Sequence, residues 1–233
     1  MIDRTLNYGR EILKKFLLSN GGFETALDIG AGQGNDLLTI REVNPRATLF
    51  AIECFPASVA LLKDKGVTVH SLDIEHDAFP FEPASLDIVI ANQILEHTKE
   101  IFWILDQVSR VLKEGGRFIL GVPNLAALHN RILLALGRQP SPLKNNSAHV
   151  RGFTKPDVIQ LLESAFPGGY RLACFGGSNF YPFPPIIARP MARIFPSLAW
   201  GIFFDFLKLK PYRGEFLAYP KQMQLETNFF LGR

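Results

Sequence analysis

Short apolar runs alternate, through the first half of the chain, with stretches in which apolar residues recur every three or four positions. The runs at 26–29, 48–52, 67–70, 86–91 and 117–122 read as strands, and 86–91 is apolar on both faces. The periodic stretches at 4–19, 34–43, 56–65 and 101–112 read as helices. Leu6, Ile12, Leu13, Phe16 and Leu17 line one face of the first. Ile101, Ile104, Leu105, Val108, Val111 and Leu112 form a stripe along the last. Gly21-Gly22, Asn44-Pro45, Gly66 and Gly115-Gly116 punctuate the helix ends. Five alternations of strand and helix with short connections predict an α/β fold, a doubly wound and mostly parallel sheet with helices on both faces.

After Pro123 the rhythm breaks. Residues 124–151 read as an insertion with a helix at 125–136 and a polar loop around Asn145-Asn146-Ser147. Thr154-Lys155-Pro156-Asp157 opens a further helix, with Thr154 as its cap and Val158, Leu161, Leu162 and Ala165 on its buried face. Runs at 170–175 and 227–231 read as the last two strands, which brings the sheet to seven. Between them lies 176–221, an insertion rich in proline and aromatics such as Phe180, Tyr181, Phe183, Trp200 and Tyr212. Its clearest helical piece is 197–209, apolar nearly all round. So long a connection is usually a functional cover or carries structure of its own. The whole chain, 1–233, reads as a single domain with an N-terminal helix within 1–22.

Composition narrows the class. Hydrophobic residues make up 47% and charged residues 20%, which is globular rather than disordered. A net charge of +3, with no basic stripe interleaved with aromatics, argues against a nucleic-acid partner. Cys54 and Cys174 lie far apart, outside any metal-ligand spacing, and read as free thiols of a reducing compartment. Arg4, Arg10, Lys14 and Lys15 interrupt the early apolar residues, so no secretory signal is read there. No apolar run reaches the roughly 20 residues that span a bilayer. The expected location is the cytoplasm.

The first strand ends in the turn Asp28-Ile29-Gly30-Ala31-Gly32-Gln33-Gly34, where three alternate glycines allow a sharp turn and close approach to a ligand. Two ligand classes compete for it. A dinucleotide fingerprint, G-x-G-x-x-G, would serve an NAD-dependent oxidoreductase, but the third glycine comes one residue early and position 35 is Asn. Asp28, Glu53 and Asp73 fall at or just beyond successive strand ends, which border the ligand crevice of an open α/β sheet. Over residues 25–166 this arrangement resembles the class I S-adenosylmethionine-dependent methyltransferases, and within them the small-molecule and quinone-type enzymes. The resemblance implies S-adenosylmethionine as cofactor. Asp28, Gly30, Gly32 and Gly34 would hold its methionine end, with Asn92 lining that side. Glu53 would take the ribose hydroxyls, and Asp73 with the backbone of Ile74 would read the adenine. The ligand carries an ammonium and a sulfonium and no phosphate, so acids suit it better than a phosphate nest.

His97, just past the fourth strand, and His149, in a His-x-x-x-Phe-Thr stretch similar to one in that subfamily, are the candidate catalytic residues; each has a packing or capping role as its alternative. Glu96 could orient a histidine or bind a metal, but no pair of acids or histidine cluster is visible in the sequence, and no metal is expected. The aromatic segment has three readings: a cover over the acceptor pocket, a contact with a membrane surface, or a subunit interface of a homodimer. The first two favour a small-molecule or amphiphilic methyl acceptor; the resemblance implies a quinone precursor or a lipid or glycan intermediate, and together with His97 it implies oxygen as the accepting atom. A catalytically inactive cofactor-binding protein and a membrane-surface protein are the alternatives carried forward.

Overall fold

The computed structural model describes residues 3–19, 21–226 and 228–232. Seven strands form one sheet: β1 (Thr25–Ile29), β2 (Thr48–Ile52), β3 (Thr68–His70), β4 (Leu86–Asn92), β5 (Leu112–Pro123), β6 (Tyr170–Ser178) and β7 (Gly201–Lys208). Their order is β3-β2-β1-β4-β5-β7-β6. The first five run parallel, and β7 pairs antiparallel with both β5 and β6. The strand order reverses between β1 and β4, so their carboxyl ends flank the crevice where such sheets bind ligands.

Alternation of side chains along each strand splits the core into two layers. Ile88 and Ile90 of β4 pack, with Ala26, Ala51 and Ile119, against α1 (Arg10–Leu18), α2 (Asn35–Val43) and α3 (Pro56–Asp64). Val89 and Ala91 face the other way, toward α4 (Ile101–Val111) and α6 (Lys155–Ala165), with Phe118, Phe204 and Phe206. Thr154 caps α6 as its sequence predicts. The remaining helices are α5 (Leu128–Ala135), α7 (Pro185–Ile194) and α8 (Glu215–Gln222).

Three expectations are corrected. The N-terminal helix breaks at Gly9, where φ is 57°, into a 3-10 turn (Arg4–Tyr8) and α1. A Cβ at Gly9 would lie 2.2 Å from the Phe203 ring, so the chain bends where it crosses the sheet. Residues 201–208, expected to be helical, form β7. An all-round apolar run suits a strand covered on both faces as well as a buried helix, and Phe203, Phe204 and Phe206 favour the strand. Of the strand expected at 227–231, Thr227 lies outside the described residues and 228–231 are not in a strand. The segment 176–221 therefore contains the last strand, together with α7 and α8.

Placing β7 between β5 and β6 buries a charge. Asp205 is fully enclosed, and Arg117 of β5 grips it through two donors, Nε at 2.8 Å from Oδ1 and Nη2 on Oδ2. Lys208 closes the same strand by donating to the carbonyls of Ser109 and Leu112, both at 2.6 Å. Arg117→Met should cost about 3–5 kcal/mol in urea unfolding, because it strands a buried carboxylate. The double variant Arg117→Met/Asp205→Leu should recover most of that loss; equal losses in both would disprove the pairing account.

Candidate functional site

The glycine turn follows β1 directly. Gly30 and Gly34 adopt φ of 70° and 77°, a region open mainly to glycine, and a Cβ at either would strike Ile94 (2.8 Å) or Leu62 (2.6 Å). The side-chain direction of Gly32, in contrast, meets nothing within 4 Å. The turn is thus packed on its two outer glycines and open at the middle one. Its amide at Gly32 donates to Oε2 of Glu53 at 2.7 Å, and Oε1 of Glu53 accepts from the Phe55 amide at 2.8 Å. Each Glu53 oxygen keeps further accepting capacity.

Asp28 is only 2% exposed, and no donor among the described residues reaches its carboxylate. Burial, and then the neighbouring charges of Asp36 and Glu53, hold its carboxyl well above the usual range. Asp36, in the first turn of α2, was not singled out in the sequence, because an acid there reads as a partner of the helix dipole. The fold turns it inward, where burial raises its pKa against the stabilising Asn92 amide and Arg10. Nδ2 of Asn92 donates to Oδ2 of Asp36 at 2.7 Å and to the Tyr8 carbonyl at 3.0 Å. Arg10 Nε stands 3.3 Å from Oδ1 of Asp36. The N-terminal segment thus folds down onto the strand ends.

Three carboxylates of Asp28, Asp36 and Glu53 around one open glycine turn form a site for a cationic group. An ammonium can donate to these carboxylate oxygens, whereas a pyrophosphate would meet like charge. Asp73 lies farther out and half exposed; it accepts from the Glu75 amide at 2.9 Å and from the His76 ring at 2.8 Å. The His76 bond, first of these, holds its pKa below the ordinary value. Ile74 packs against the edge of the core.

Past β4 the backbone turns sharply at Gln93, with φ of 58°. The following 3-10 turn, Leu95–His97, points Glu96 and His97 toward His149. The rings of His97 and His149 stand edge to face at 4.7 Å. Burial pushes the Glu96 carboxyl up to about 8. His149 is lowered, first by burial and then by His97. The backbone holds the group: Val150 donates to the Glu96 carbonyl (2.8 Å), and Arg151 to those of Thr98 (2.9 Å) and Lys99 (2.6 Å). His97 and His149 lie 52 positions apart in the sequence, which is why no cluster is visible in the chain read linearly.

A cavity of about 390 Å³ opens on the other side of Arg10, between α1, α7 and the end of β6. Phe16 and Phe175 give it apolar walls; of its cations, Arg189 pairs with Glu11 at 2.9 Å and Arg10 stands beside Asp36, while Lys15 and Arg193 add positive charge. Gly121 leaves room for Asn92 and Phe203, since a Cβ there would meet the Asn92 oxygen at 2.3 Å.

Residues 27–118 match the family model described as a methyltransferase domain. A probable S-adenosylmethionine-dependent methyltransferase of Mycolicibacterium smegmatis is 30% identical over 142 residues, covering 60% of this chain and 50% of that protein. An uncharacterized transposon protein of Streptomyces fradiae is 28% identical over 109 residues, and the match covers 45% of this chain and 32% of that protein. The chain thus spans half or less of the length of these curated relatives. Among solved structures, the plantazolicin methyltransferase BpumL in complex with SAH superposes with a TM-score of 0.61 at 15% identity, covering 89% of this chain and 86% of that one. The Burkholderia thailandensis 1,6-didemethyltoxoflavin-N1-methyltransferase gives 0.58 at 17% identity, with 86% and 78% covered. At such identities the likeness is one of fold. The matched segment holds the glycine turn and two of its carboxylate-bearing strand ends, so the part of the chain that is similar to a methyltransferase domain is the part that carries the candidate site.

Proposed function

We propose that the chain is an S-adenosylmethionine-dependent methyltransferase acting on a hydroxyl of a small or amphiphilic acceptor. The observation that carries the cofactor half is the concentration of Asp28, Asp36 and Glu53 around an open glycine turn. When bound, S-adenosylmethionine supplies a methyl group on a sulfonium, activated for in-line displacement. Asp28 and Asp36 offer their charge to the ammonium, with Asn92 orienting Asp36. Gly30, Gly32 and Gly34 let the backbone approach closely. Glu53 accepts from the ribose hydroxyls, and Asp73 with the Ile74 backbone reads the adenine.

The acceptor half rests on the Glu96–His97–His149 group. Ile94, which packs on Gly30, leads directly into it, so it stands beside the glycine turn. His97 is the exposed member, 39% open, and a ring nitrogen there can take the proton of an acceptor hydroxyl. The apolar, arginine-bearing cavity beside Arg10 suits an acceptor with an apolar body and an anionic end. On α7 and just beyond it, Ile186 (83% exposed), Ile187, Ile194 and Phe195 stand open near Arg189 and Arg193. Apolar groups among cations favour contact with an anionic membrane surface, the source of such acceptors.

Asp28→Asn should weaken S-adenosylmethionine binding about 10- to 100-fold, the loss of one charged hydrogen bond. Because burial raises the Asp28 pKa, a bound ammonium should draw it back down and release a proton wherever the free carboxyl is protonated, seen in calorimetry as a buffer-dependent heat that vanishes in the variant. Unchanged affinity in Asp28→Asn would remove the cofactor reading. With methyl-labelled cofactor and hydroxyl-bearing acceptors, His97→Ala should lower turnover by about 10²- to 10⁴-fold; methylation confined to nitrogen acceptors would refute the hydroxyl assignment. The chain should co-sediment with anionic vesicles and lose that binding in Ile186→Asp/Ile194→Asp, whereas a monomer–dimer shift in the variant would assign the patch to a second copy.

A further inference from the structure

We propose that Glu96, His97 and His149 form a binding site for one divalent transition-metal ion. One ligand atom from each residue lies within 4.8 Å of the other two. The three do not satisfy one another: Nε2 of His97 is 4.0 Å from Oε1 of Glu96, beyond hydrogen-bond reach. Oε2 of Glu96 and Nδ1 of His149 are buried with no hydrogen-bond partner among the described residues. The Glu96 side chain is only 2% exposed, so its second oxygen has no recourse to bulk water. Buried polar atoms left in this state are costly, and a shared cation relieves both at once.

The donor set selects the ion. Two imidazoles and one carboxylate suit first-row ions such as Fe²⁺, Mn²⁺, Co²⁺ or Zn²⁺, whereas Mg²⁺ and Ca²⁺ prefer oxygen throughout. Ligand atoms around such an ion stand about 3.4 Å apart, so small side-chain rotations within a backbone already fixed by Val150 and Arg151 close the group. Three protein ligands leave positions for an exogenous one, and the exposed His97 marks the side on which it enters.

This placement deepens the acceptor reading, and its role in transfer rests on the hydroxyl assignment; the binding of the ion does not. An ion held by Glu96, His97 and His149 would acidify a hydroxyl at its open position, so that the proton passes to water and His97 serves through the ion, whereas in the ion-free protein His97 takes that proton directly. The oxygen lone pair forms the new O–CH3 bond, and the electron pair of the broken S–CH3 bond stays on sulfur.

The test uses the full, tag-free chain after chelator treatment, titrated with Co²⁺ by visible absorption and with Mn²⁺ by electron paramagnetic resonance. One ion should bind per chain, and Glu96→Gln and His149→Ala should each weaken it at least tenfold. Both variants should retain S-adenosylmethionine affinity, which shows that they are folded. Absence of stoichiometric binding in the wild type, or binding untouched by both substitutions, overturns the site. Ion binding that follows this pattern without any hydroxyl methylation upholds the site and defeats the acceptor reading, whereas hydroxyl methylation without ion binding does the reverse.

Discussion

Negative charge gathered where water is scarce is the constraint on which this molecule is arranged. Asp28 and Glu53 are buried and Asp36 nearly so, and the charges of Asp36 and Glu53 add to the cost of ionising Asp28. The surrounding structure offsets part of that cost without cancelling it. The Gly32 and Phe55 amides take up Glu53, and Asn92 and Arg10 take up Asp36, but no comparable partner reaches Asp28. The β1–β4 switch point supplies the location, and the N-terminal segment folds over it. A site prepared in this way discriminates by charge before it discriminates by shape.

Much of this was legible in the sequence, for reasons that differ from element to element. β2 stands where its apolar run places it, and α6 begins at the Thr154 cap, because local pattern and tertiary demand agree there. The acids at strand ends could be read because position at a strand end is itself a local property. Residues 201–208 could not be read correctly: a run buried on both faces has no polar side from which to measure a period. Gly9 looked like an ordinary helix residue, since its bend answers to Phe203, nearly two hundred residues away. Asp36 was hidden by a sufficient local explanation, and the meeting of Glu96 and His97 with His149 is a product of the loop that Val150 and Arg151 pin down.

The second half of the chain is more closely woven into the first than an appended cover would be. Phe203 reaches across to Gly9 and Gly121, Asp205 to Arg117, and Lys208 to the end of α4. The aromatic segment therefore divides its work. Its strand completes the core, and its helix α7 and the adjoining turn keep Ile186, Ile194 and Phe195 at the surface. The same stretch joins the sheet that carries the glycine turn to the cavity between α1 and α7.

The position of β7 also sets a timetable for synthesis. Among the described residues it is the last strand, yet it lies between β5 and β6 and links them in the sheet. As the protein emerges from the ribosome, β5 presents an unpaired edge and β6 has nothing to dock on until residue 208 is available. An exposed apolar edge invites pairing with other chains, so the nascent protein is most vulnerable just before its seventh strand appears. Folding of the sheet is thereby deferred until β7 has been made, and a chain cut short before Gly201 would carry the glycine turn without a closed sheet behind it.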